Sequence, residues 1–458
     1  MEDNISNKQS CTFALPVDAD QKATVFRPFS MAPPHMRAFH LAWLSLFSCY
    51  FSTFSIPPLL AVIRDDLNLT ETDISRGGIA SFVGSIFSRF AMGPACDVLG
   101  PRIASATLSL LTAPVILATS LISSSTSFII IRFLIGFSLA TFVANQYWMS
   151  SMFSSPIVGV ANGVSAGWAN SGAGITQLVM PLIYSLIMEL NVPSFTAWRV
   201  AFLVPATFQM VTAILVLAFG QDRPSDNNYR VEKEKRNSKF FEVLFHGLKN
   251  YRGWILALLY GCSFGVELTI DNIIAQYFYD RFDVNLQVAG TIAASFGIAN
   301  VFSRPAGGMF SDQMARWFGM RGRLWGLWLV QTFAGLLCVL LGRVNSLWGS
   351  ITVMCCFSVF VQAAGGLTFG VVPFVSRRSL GVISGMTGCG GTVGAVITQL
   401  LLFSGSRFPT QAGISLMGIM VIVCTLPVTF MYFPQLGGMF CGPSHGSDSP
   451  VHHYRLLQ

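Results

Sequence analysis

Twelve apolar segments of about 20 residues are the feature that most restricts how this chain can fold. Each is long enough to cross a hydrocarbon core roughly 30 Å thick as a helix. Only 11% of the 458 residues are charged, against about 25% in an average soluble domain. The sequence therefore predicts an all-α polytopic membrane protein embedded in a lipid bilayer. The predicted spans, numbered 1 to 12 in chain order, are 41–63, 74–96, 102–122, 127–150, 159–187, 198–219, 253–279, 288–311, 323–343, 347–373, 381–404 and 411–433.

The orientation of these spans follows from the positive charges in the short loops. The first 40 residues are polar and interrupted by prolines, unlike a cleavable signal peptide, so we expect span 1 to act as the insertion signal. Arg102, Arg316 and Arg377 fall in loops that share a side with the N-terminus, and Lys and Arg accumulate on the cytoplasmic side. We therefore expect both termini to be cytoplasmic.

This topology divides the chain into two bundles joined by a charged linker. The linker is rich in Lys and Arg, but it also holds Glu232, Glu234 and Glu242 and lies between spans. These features favour a cytoplasmic segment over one that binds nucleic acid. The predicted regions are a cytoplasmic tail (1–40), an N-terminal six-helix bundle (41–219), the linker (220–252), a C-terminal six-helix bundle (253–433) and a second cytoplasmic tail (434–458).

A short motif occurs once in each predicted bundle. The pattern Arg-x-x-x-Gly-x-x-x-Asp covers residues 89–97 in span 2 and residues 304–312 in span 8. The segment 172–178 in span 5 likewise matches 394–400 in span 11. Two such correspondences predict six-span halves related as parallel repeats, which is the organisation of transporters with a central site between two bundles.

Arg89 and Arg304 are the strongest candidates for binding a substrate. Each lies within an apolar span, where an arginine costs about 2.5 to 3.5 kcal/mol even on a lenient insertion scale. A guanidinium group can donate two parallel hydrogen bonds, so two of them converging between the bundles suit a small planar oxyanion. Asn170 lies on a glycine-rich face of span 5, and its amide is a further candidate to hydrogen-bond the ligand.

The other motif residues have a different predicted role. Gly93, Asp97 and Arg102 lie at the cytoplasmic end of span 2, and Asp312 and Arg316 occupy the matching place after span 8. We predict that these gating residues hold the two bundles together on the cytoplasmic side. Their contacts are expected to break when a carrier of this kind changes conformation.

Span 7 carries an unusual combination of aromatic and acidic residues. Tyr260, Phe264, Glu267 and Asp271 fall at helical spacing on one face. The two acids are candidates for proton coupling, but they could also be structural counter-ions or lie near an outer vestibule. Arg132 in span 4 is also a candidate for proton coupling, and its alternative is a structural role in an ion pair.

Other classes of site are not indicated. The cysteines lie mostly singly inside spans, without a Cys-x-x-Cys pair and histidine partners, so we expect no metal site. Neither a nucleotide-binding loop nor a Ser/His/Asp set is visible, so we expect no cofactor and no enzymatic activity.

These motifs together resemble the nitrate/nitrite porter family of the major facilitator superfamily. Within it, the paired arginine motifs and the glycine-rich segments 163–177 and 385–399 look like those of plant high-affinity nitrate transporters, especially the vacuolar branch. The resemblance implies a major facilitator fold with twelve transmembrane helices in two pseudo-symmetric six-helix bundles. It also implies secondary active transport by alternating access, driven by cotransported protons.

The resemblance assigns roles to the matching positions. It implies that Arg89 and Arg304 hold nitrate from opposite bundles, that Phe142 and Tyr260 flank the anion, and that Asn170 and Phe264 line the pocket. Thr392 stands where relatives often carry Asn in the span-11 signature, and it retains a hydroxyl that can reach the ligand.

Several alternatives stay open at this point. The ligand could be nitrite or another small anion, and a nitrate sensor without useful transport is a further hypothesis. The short tail after Pro434 favours the vacuolar membrane (tonoplast), with the plasma membrane as the alternative. Plasma-membrane relatives work with a single-span accessory protein, and the resemblance leaves open whether this chain needs one.

Overall fold

The computed structural model describes residues 13–224, 240–284, 286–403 and 408–443. Part of the predicted linker (225–239) and the outer parts of both predicted tails lie outside the described residues. The described residues form helices joined by short loops, with one small two-stranded sheet after the last span. This architecture confirms the predicted all-α membrane protein.

The half before the linker starts at a proline-rich segment and contains spans 1 to 6. Three 3₁₀ segments, Pro57–Leu59, Ala118–Leu121 and Phe137–Ala140, join or extend its helices. The α-helices are His35–Thr53, Leu60–Leu67, Glu71–Leu99, Pro101–Leu117, Ser125–Gly136, Thr141–Met152, Val158–Glu189, Ser194–Ala201 and Leu203–Phe219.

The half after the linker contains spans 7 to 12. Two π-helical turns, Gly261–Gly265 and Gln399–Phe403, interrupt its helices, and two 3₁₀ segments, Val372–Phe374 and Leu426–Phe430, extend others. The strands Tyr432–Phe433 and Gly437–Gly438 pair antiparallel, with Tyr432 opposite Gly438. One α-helix, Phe240–Leu248, lies within the predicted linker, and the α-helices that follow it are Tyr251–Tyr260, Val266–Phe282, Leu286–Ile298, Asn300–Leu341, Leu347–Val371, Leu380–Thr398 and Thr410–Thr425.

The number of membrane crossings agrees with the twelve predicted spans. Within the described residues, 11 helical segments are long and apolar enough to cross a membrane. One of them, Val288–Leu341, is 54 residues long and covers both predicted spans 8 and 9. The chain turns inside it at Gly319, where φ is 63°, a left-handed conformation that glycine adopts without steric penalty. Counting this segment as two spans gives twelve crossings.

Local sequence signals explain where span 2 begins and ends. Thr70 and Asp73 form a reciprocal capping box, in which the Thr70 side chain accepts from the Asp73 amide at 3.2 Å. The helix ends at Gly100, whose φ of 88° again requires glycine. Arg89 is thereby fixed well inside a single continuous helix, Glu71–Leu99.

The two halves meet where the repeated motif places its glycines. Span 2 packs against span 11, and span 5 packs against span 8. A Cβ atom on Gly93 would collide with the carbonyl oxygen of Gly381, and one on Gly308 would collide with that of Gly159. Small residues are therefore required at both contacts, as in other close helix crossings inside membranes.

Candidate functional site

Arg89 presents an unoccupied hydrogen-bonding edge inside the protein. Its side chain is 0% exposed, and its Nη1 donates a 2.7 Å hydrogen bond to the carbonyl oxygen of Gly388 in span 11. Its Nε and Nη2 are buried and have no hydrogen-bond partner within the described part of the chain. Nε and Nη2 form one edge of the guanidinium plane, which is suited to a planar oxyanion that accepts two parallel hydrogen bonds.

Arg304 is equally buried, but its hydrogen-bonding groups are engaged. Its Nη2 forms a 2.7 Å ion pair with Glu267 Oε2, and its Nε donates to Asn300 Oδ1 at 2.7 Å. Its Nη1 donates to the Tyr260 hydroxyl at 3.2 Å. Asn300 Nδ2 donates to Glu267 Oε1 at 2.7 Å, so these groups close a ring with the arginine. The edge that is open on Arg89 is occupied on Arg304.

Asn170 connects Arg304 to the N-terminal half. With the amide oriented so that both of its ends are satisfied, its oxygen accepts from Arg304 Nε at 2.9 Å and from Arg304 Nη2 at 3.2 Å. Its amide nitrogen then donates to the Tyr50 hydroxyl at 2.9 Å. Asn170 thus lies at the predicted site, where it contacts the same edge of Arg304 as Glu267 and Asn300.

Three aromatic rings lie against the two arginines. Phe142, Tyr260 and Phe264 stack with centroid separations of 5.1 to 6.0 Å. The Arg89 Cζ lies 5.4 Å from the Phe142 centroid and 5.2 Å from that of Phe264. The Arg304 Cζ lies 5.1 Å from the Phe264 centroid, so this one ring contacts both cations. Cation–π contacts of this kind help to keep guanidinium groups inside an apolar environment.

Thr392 is buried in span 11, one helical turn beyond the Gly388 carbonyl that accepts from Arg89. Its hydroxyl donates to the carbonyl oxygen of Cys389 in its own helix at 3.0 Å. The adjacent Gly391 lies against the aromatic rings, because a Cβ there would be 2.7 Å from a Tyr260 ring atom. The structure therefore places Thr392 beside the site, with its hydroxyl hydrogen-bonded to the backbone.

The three candidates for proton coupling have different surroundings. Glu267 is 2% exposed and paired with Arg304, whereas Asp271, one helical turn along span 7, is exposed. The π-helical turn Gly261–Gly265 adds a residue to one turn of this helix, which rotates the residues after it relative to a regular α-helix. Arg132 is half-buried in span 4, and its Nε has no hydrogen-bond partner among the described residues.

The two motif aspartates make matching contacts across the halves. Asp97 accepts from the backbone N–H groups of Gly381 and Val382 at 3.2 Å, at the start of span 11. Asp312 accepts from those of Gly159 and Val160 at 3.1 and 2.7 Å, at the start of span 5. A carboxylate at a helix N-terminus is stabilised by the exposed N–H groups and by the helix dipole. We call this region of Asp97 and Asp312 the aspartate end.

Only some of the arginines near the aspartate end contact the opposite half of the protein. Arg102 donates to Leu217 O at 2.8 Å and, through its backbone, to Asp222 at the start of the predicted linker, and neither partner lies in the C-terminal half. Arg316 is exposed, and the cation paired with Asp312 is Arg323, at 2.7 Å. Arg323 also donates to the Ser155 carbonyl oxygen of the other half at 3.1 Å.

Sequence reasoning missed Asn300, Tyr50 and Arg323 as members of these clusters. Asn300 could have been found, because it precedes Arg304 by one helical turn and therefore lies on the same face of span 8. Tyr50 and Arg323 reach their partners only through tertiary packing, and no local pattern indicates them.

The arrangement is chemically suited to a small anion. Arg89 and Arg304 contribute two positive charges and Glu267 one negative charge, which leaves this buried group with a net positive charge. A buried charge is unfavourable unless a partner compensates it, so an oxyanion on the open edge of Arg89 would complete the group. Within the described residues, no cluster of three or more His, Cys, Asp or Glu residues is arranged to hold a metal ion.

Comparison with known proteins agrees with this chemistry. The chain is 65% identical over 466 residues to the "High affinity nitrate transporter 2.7" of Arabidopsis thaliana, an alignment that covers 98% of this chain and 94% of the relative. It is 58% identical over 446 residues to the "High-affinity nitrate transporter 2.3" of Oryza sativa subsp. japonica, covering 97% of this chain and 86% of the relative.

Solved structures show the same fold. The proton:xylose symporter XylE superposes with a TM-score of 0.65, covering 85% of this chain and 94% of that chain, at 12% sequence identity. At this identity the likeness shows the fold alone. The family model of the Major Facilitator Superfamily matches residues 42–379. The chain therefore belongs to the major facilitator superfamily and, within it, to the high-affinity nitrate transporters, a family of membrane transporters and not of enzymes.

Proposed function

We propose that this chain is a secondary active transporter that moves nitrate across a membrane by alternating access, with the anion held between Arg89 and Arg304. The relatives named above as nitrate transporters support nitrate as the substrate. The observation that carries the proposal is the buried Arg89, whose Nε and Nη2 lack a hydrogen-bond partner among the described residues.

The size and shape of nitrate fit this edge. Nitrate is planar and singly charged, and two of its oxygens can accept the two parallel N–H groups of a guanidinium edge. The stacked rings of Phe142 and Phe264 contact the Arg89 guanidinium and leave the surroundings apolar. A larger, multiply charged anion would need more open cations than this cluster offers.

The transport cycle would use the contacts at the aspartate end. Asp97 and Asp312 each cap a helix of the opposite half, so both caps must break when the halves separate there. The close glycine contacts at Gly93 and Gly308 provide surfaces on which the halves can rock. The anion would then be released on that side, which the loop charges predict to be cytoplasmic.

We further propose that protons drive transport and that Glu267 is the residue that couples them. Its buried ion pair with Arg304 gives proton uptake a direct effect on a substrate-binding cation. Among the described residues, the exposed Asp271 makes no hydrogen bond to Arg89 or Arg304, and Arg132 makes none to Glu267, so both are weaker candidates.

The location and partners are proposed from the sequence. The resemblance to the vacuolar branch favours the tonoplast over the plasma membrane, and the loop charges favour both termini in the cytosol. Expression of a fluorescent fusion in plant cells tests this location. Coexpression with a single-span accessory protein tests whether the chain depends on one, because a dependent chain transports only in its presence.

Labelled nitrate flux in proteoliposomes containing only this chain tests the proposed function. The wild-type chain is expected to accumulate nitrate when a proton gradient is imposed, and Arg89→Gln is expected to lose that flux at unchanged protein abundance. Arg343→Gln is a matched control, because Arg343 is exposed at the end of span 9. Nitrate binding without flux would instead support a sensor, and unchanged flux in Arg89→Gln would contradict the proposed site.

A further inference from the structure

Arg304, Glu267 and Asn300 form a hydrogen-bonded ring that keeps the Nε–Nη2 edge of Arg304 engaged with protein groups, whereas the same edge of Arg89 has no partner among the described residues. Both oxygens of Glu267 are engaged, one by Arg304 Nη2 and the other by Asn300 Nδ2, each at 2.7 Å. Asn300 simultaneously accepts from Arg304 Nε at 2.7 Å. Asn300 is therefore the one side chain that hydrogen-bonds both members of this ion pair in the described part of the chain.

The position of Glu267 resembles that of a bound anion. A carboxylate is a planar oxyanion, and here one of its oxygens binds the Nη2 of the same Nε–Nη2 edge that stays open on Arg89. Asn300 and Asn170 supply the other acceptors on that edge, of which the Asn300 oxygen is the nearer to Nε. Substrate that approaches Arg304 must therefore replace an acceptor that belongs to the protein.

The other groups around Glu267 do not provide an alternative partner of equal strength. The Tyr260 hydroxyl accepts from Arg304 and the Tyr50 hydroxyl accepts from Asn170, but neither carries a positive charge. Asp271 is an acid like Glu267, and Arg89 forms no ion pair with Glu267 among the described residues. Arg304 is the charged group within hydrogen-bonding distance of Glu267. Protonation of Glu267 would remove the negative charge that holds this carboxyl group against Arg304.

We propose that Asn300 is a positioning residue that holds Glu267 on the anion-binding edge of Arg304, so that Arg304 becomes available to substrate only after Glu267 is protonated. The inference rests on the proposed nitrate site. It implies an order of events in which the anion first binds Arg89 and Arg304 joins it once a proton has arrived. Neither the family match nor the repeat assigns a role to Asn300.

The experiment measures the dissociation constant of nitrate for purified full-length protein at acidic and at neutral pH. Asn300→Leu keeps the approximate volume but removes both hydrogen bonds. We expect the ratio of the neutral to the acidic dissociation constant to fall by about tenfold, the effect of losing one hydrogen bond to a charged group. In a Glu267→Gln background, Asn300→Leu should leave the dissociation constant itself unchanged at both pH values, because the residue acts through Glu267.

A merely structural role for Asn300 gives a different result. If Asn300 only orients Arg304, Asn300→Leu weakens nitrate binding equally at both pH values and does so in the Glu267→Gln background too, which would overturn the inference. Asn300→Ser, a smaller change, gives the same test if the leucine variant does not accumulate. Failure of the nitrate site itself is distinguishable, because Arg89→Gln would then bind nitrate as well as the wild type.

Discussion

Arg89 and Arg304 occupy equivalent places in the repeated motif, but their surroundings differ. Both are buried in the centre of the molecule, and each is hydrogen-bonded to the opposite half, Arg89 to Gly388 and Arg304 to Asn170. Arg304 has a carboxylate partner, Glu267, whereas Arg89 has a single backbone acceptor among the described residues. Both halves thus have the arginine, but only the C-terminal half places a carboxylate next to it among the described residues.

This difference suggests that, in a proton-coupled carrier, one half binds the anion and the other half responds to protons. An arginine without a carboxylate partner is suited to bind an external anion, because no acceptor among the described residues occupies its open edge. An arginine paired with a buried carboxylate responds to protons, because protonation changes the net charge around it. The predictions below separate these two roles, from the largest expected effect to the smallest.

The largest expected effect is a difference in stability between Arg304→Gln and Arg89→Gln. Arg304→Gln leaves Glu267 buried without its counter-ion, and breaking a buried pair in this way typically destabilises by about 3 to 5 kcal/mol. Arg89→Gln removes a buried cation that has no carboxylate partner in the described residues, so it should leave stability unchanged or raised. Thermal unfolding in detergent measures both variants. Recovery of stability in Arg304→Gln combined with Glu267→Gln is the control, and equal destabilisation by the two single variants would contradict the comparison.

The binding role of Arg89 depends on the shape of its side chain as well as on its charge. Arg89→Lys keeps the positive charge but loses the two parallel donors of the guanidinium edge. We expect nitrate to bind about 10- to 100-fold more weakly, which corresponds to roughly 1.4 to 2.7 kcal/mol. Titration calorimetry on purified protein measures the change, with Arg343→Lys as the control. Wild-type affinity in Arg89→Lys would show that charge alone binds the anion.

At the aspartate end, the ion pair between Asp312 and Arg323 adds to the helix caps. Asp312→Asn keeps an acceptor for only one of the Gly159 and Val160 amides, which donate to different carboxylate oxygens, and removes the negative charge. We therefore expect the closed contact to weaken by about 1 to 2 kcal/mol. The separation of the two halves can be measured by electron–electron resonance between two spin labels, with the native exposed cysteines removed. One label is on Arg27→Cys, exposed in the segment before span 1, and the other is on Arg316→Cys, exposed after span 8. An unchanged distance distribution would argue against a gating role for Asp312.

Thr392 should have the smallest effect. Its hydroxyl donates to the backbone of its own helix and occupies a place beside the site, so Thr392→Ala should change nitrate affinity by less than about threefold. A nitrate titration on this variant measures the effect. A loss comparable to that of Arg89→Lys would mean that the Thr392 hydroxyl leaves its backbone acceptor to bind the anion.

Much of the fold was predictable because lipid imposes a strong pattern on sequence. Twelve apolar segments predict the helices, since each crossing needs a fixed length of apolar chain, and the duplicated motif predicts that spans 2 and 8 hold equivalent places in the two halves. The turn at Gly319 lies between predicted spans 8 and 9 even though the helix is otherwise continuous there. The motif also places Arg89 and Arg304 in one buried cluster.

The chemistry that distinguishes the two arginines was less predictable. The π-helical turn Gly261–Gly265 rotates Glu267 and Asp271 together relative to Tyr260, and the surrounding packing then leaves Glu267 buried on Arg304 and Asp271 exposed. Such a turn has no reliable local signature. Likewise, Arg316 and Arg323 follow the same motif, and only the turn at Gly319 brings Arg323 back to Asp312.

The most direct test of the division between the two arginines is the nitrate dissociation constant of Glu267→Gln as a function of pH. The wild type is expected to bind nitrate more tightly at acidic pH, because protonated Glu267 no longer competes for Arg304. Glutamine imitates the protonated acid, so Glu267→Gln should bind nitrate with the affinity of the acidic wild type at every pH. A variant that keeps the wild-type pH dependence would contradict the assignment of Glu267 and Arg304 as the proton-responsive half of the site.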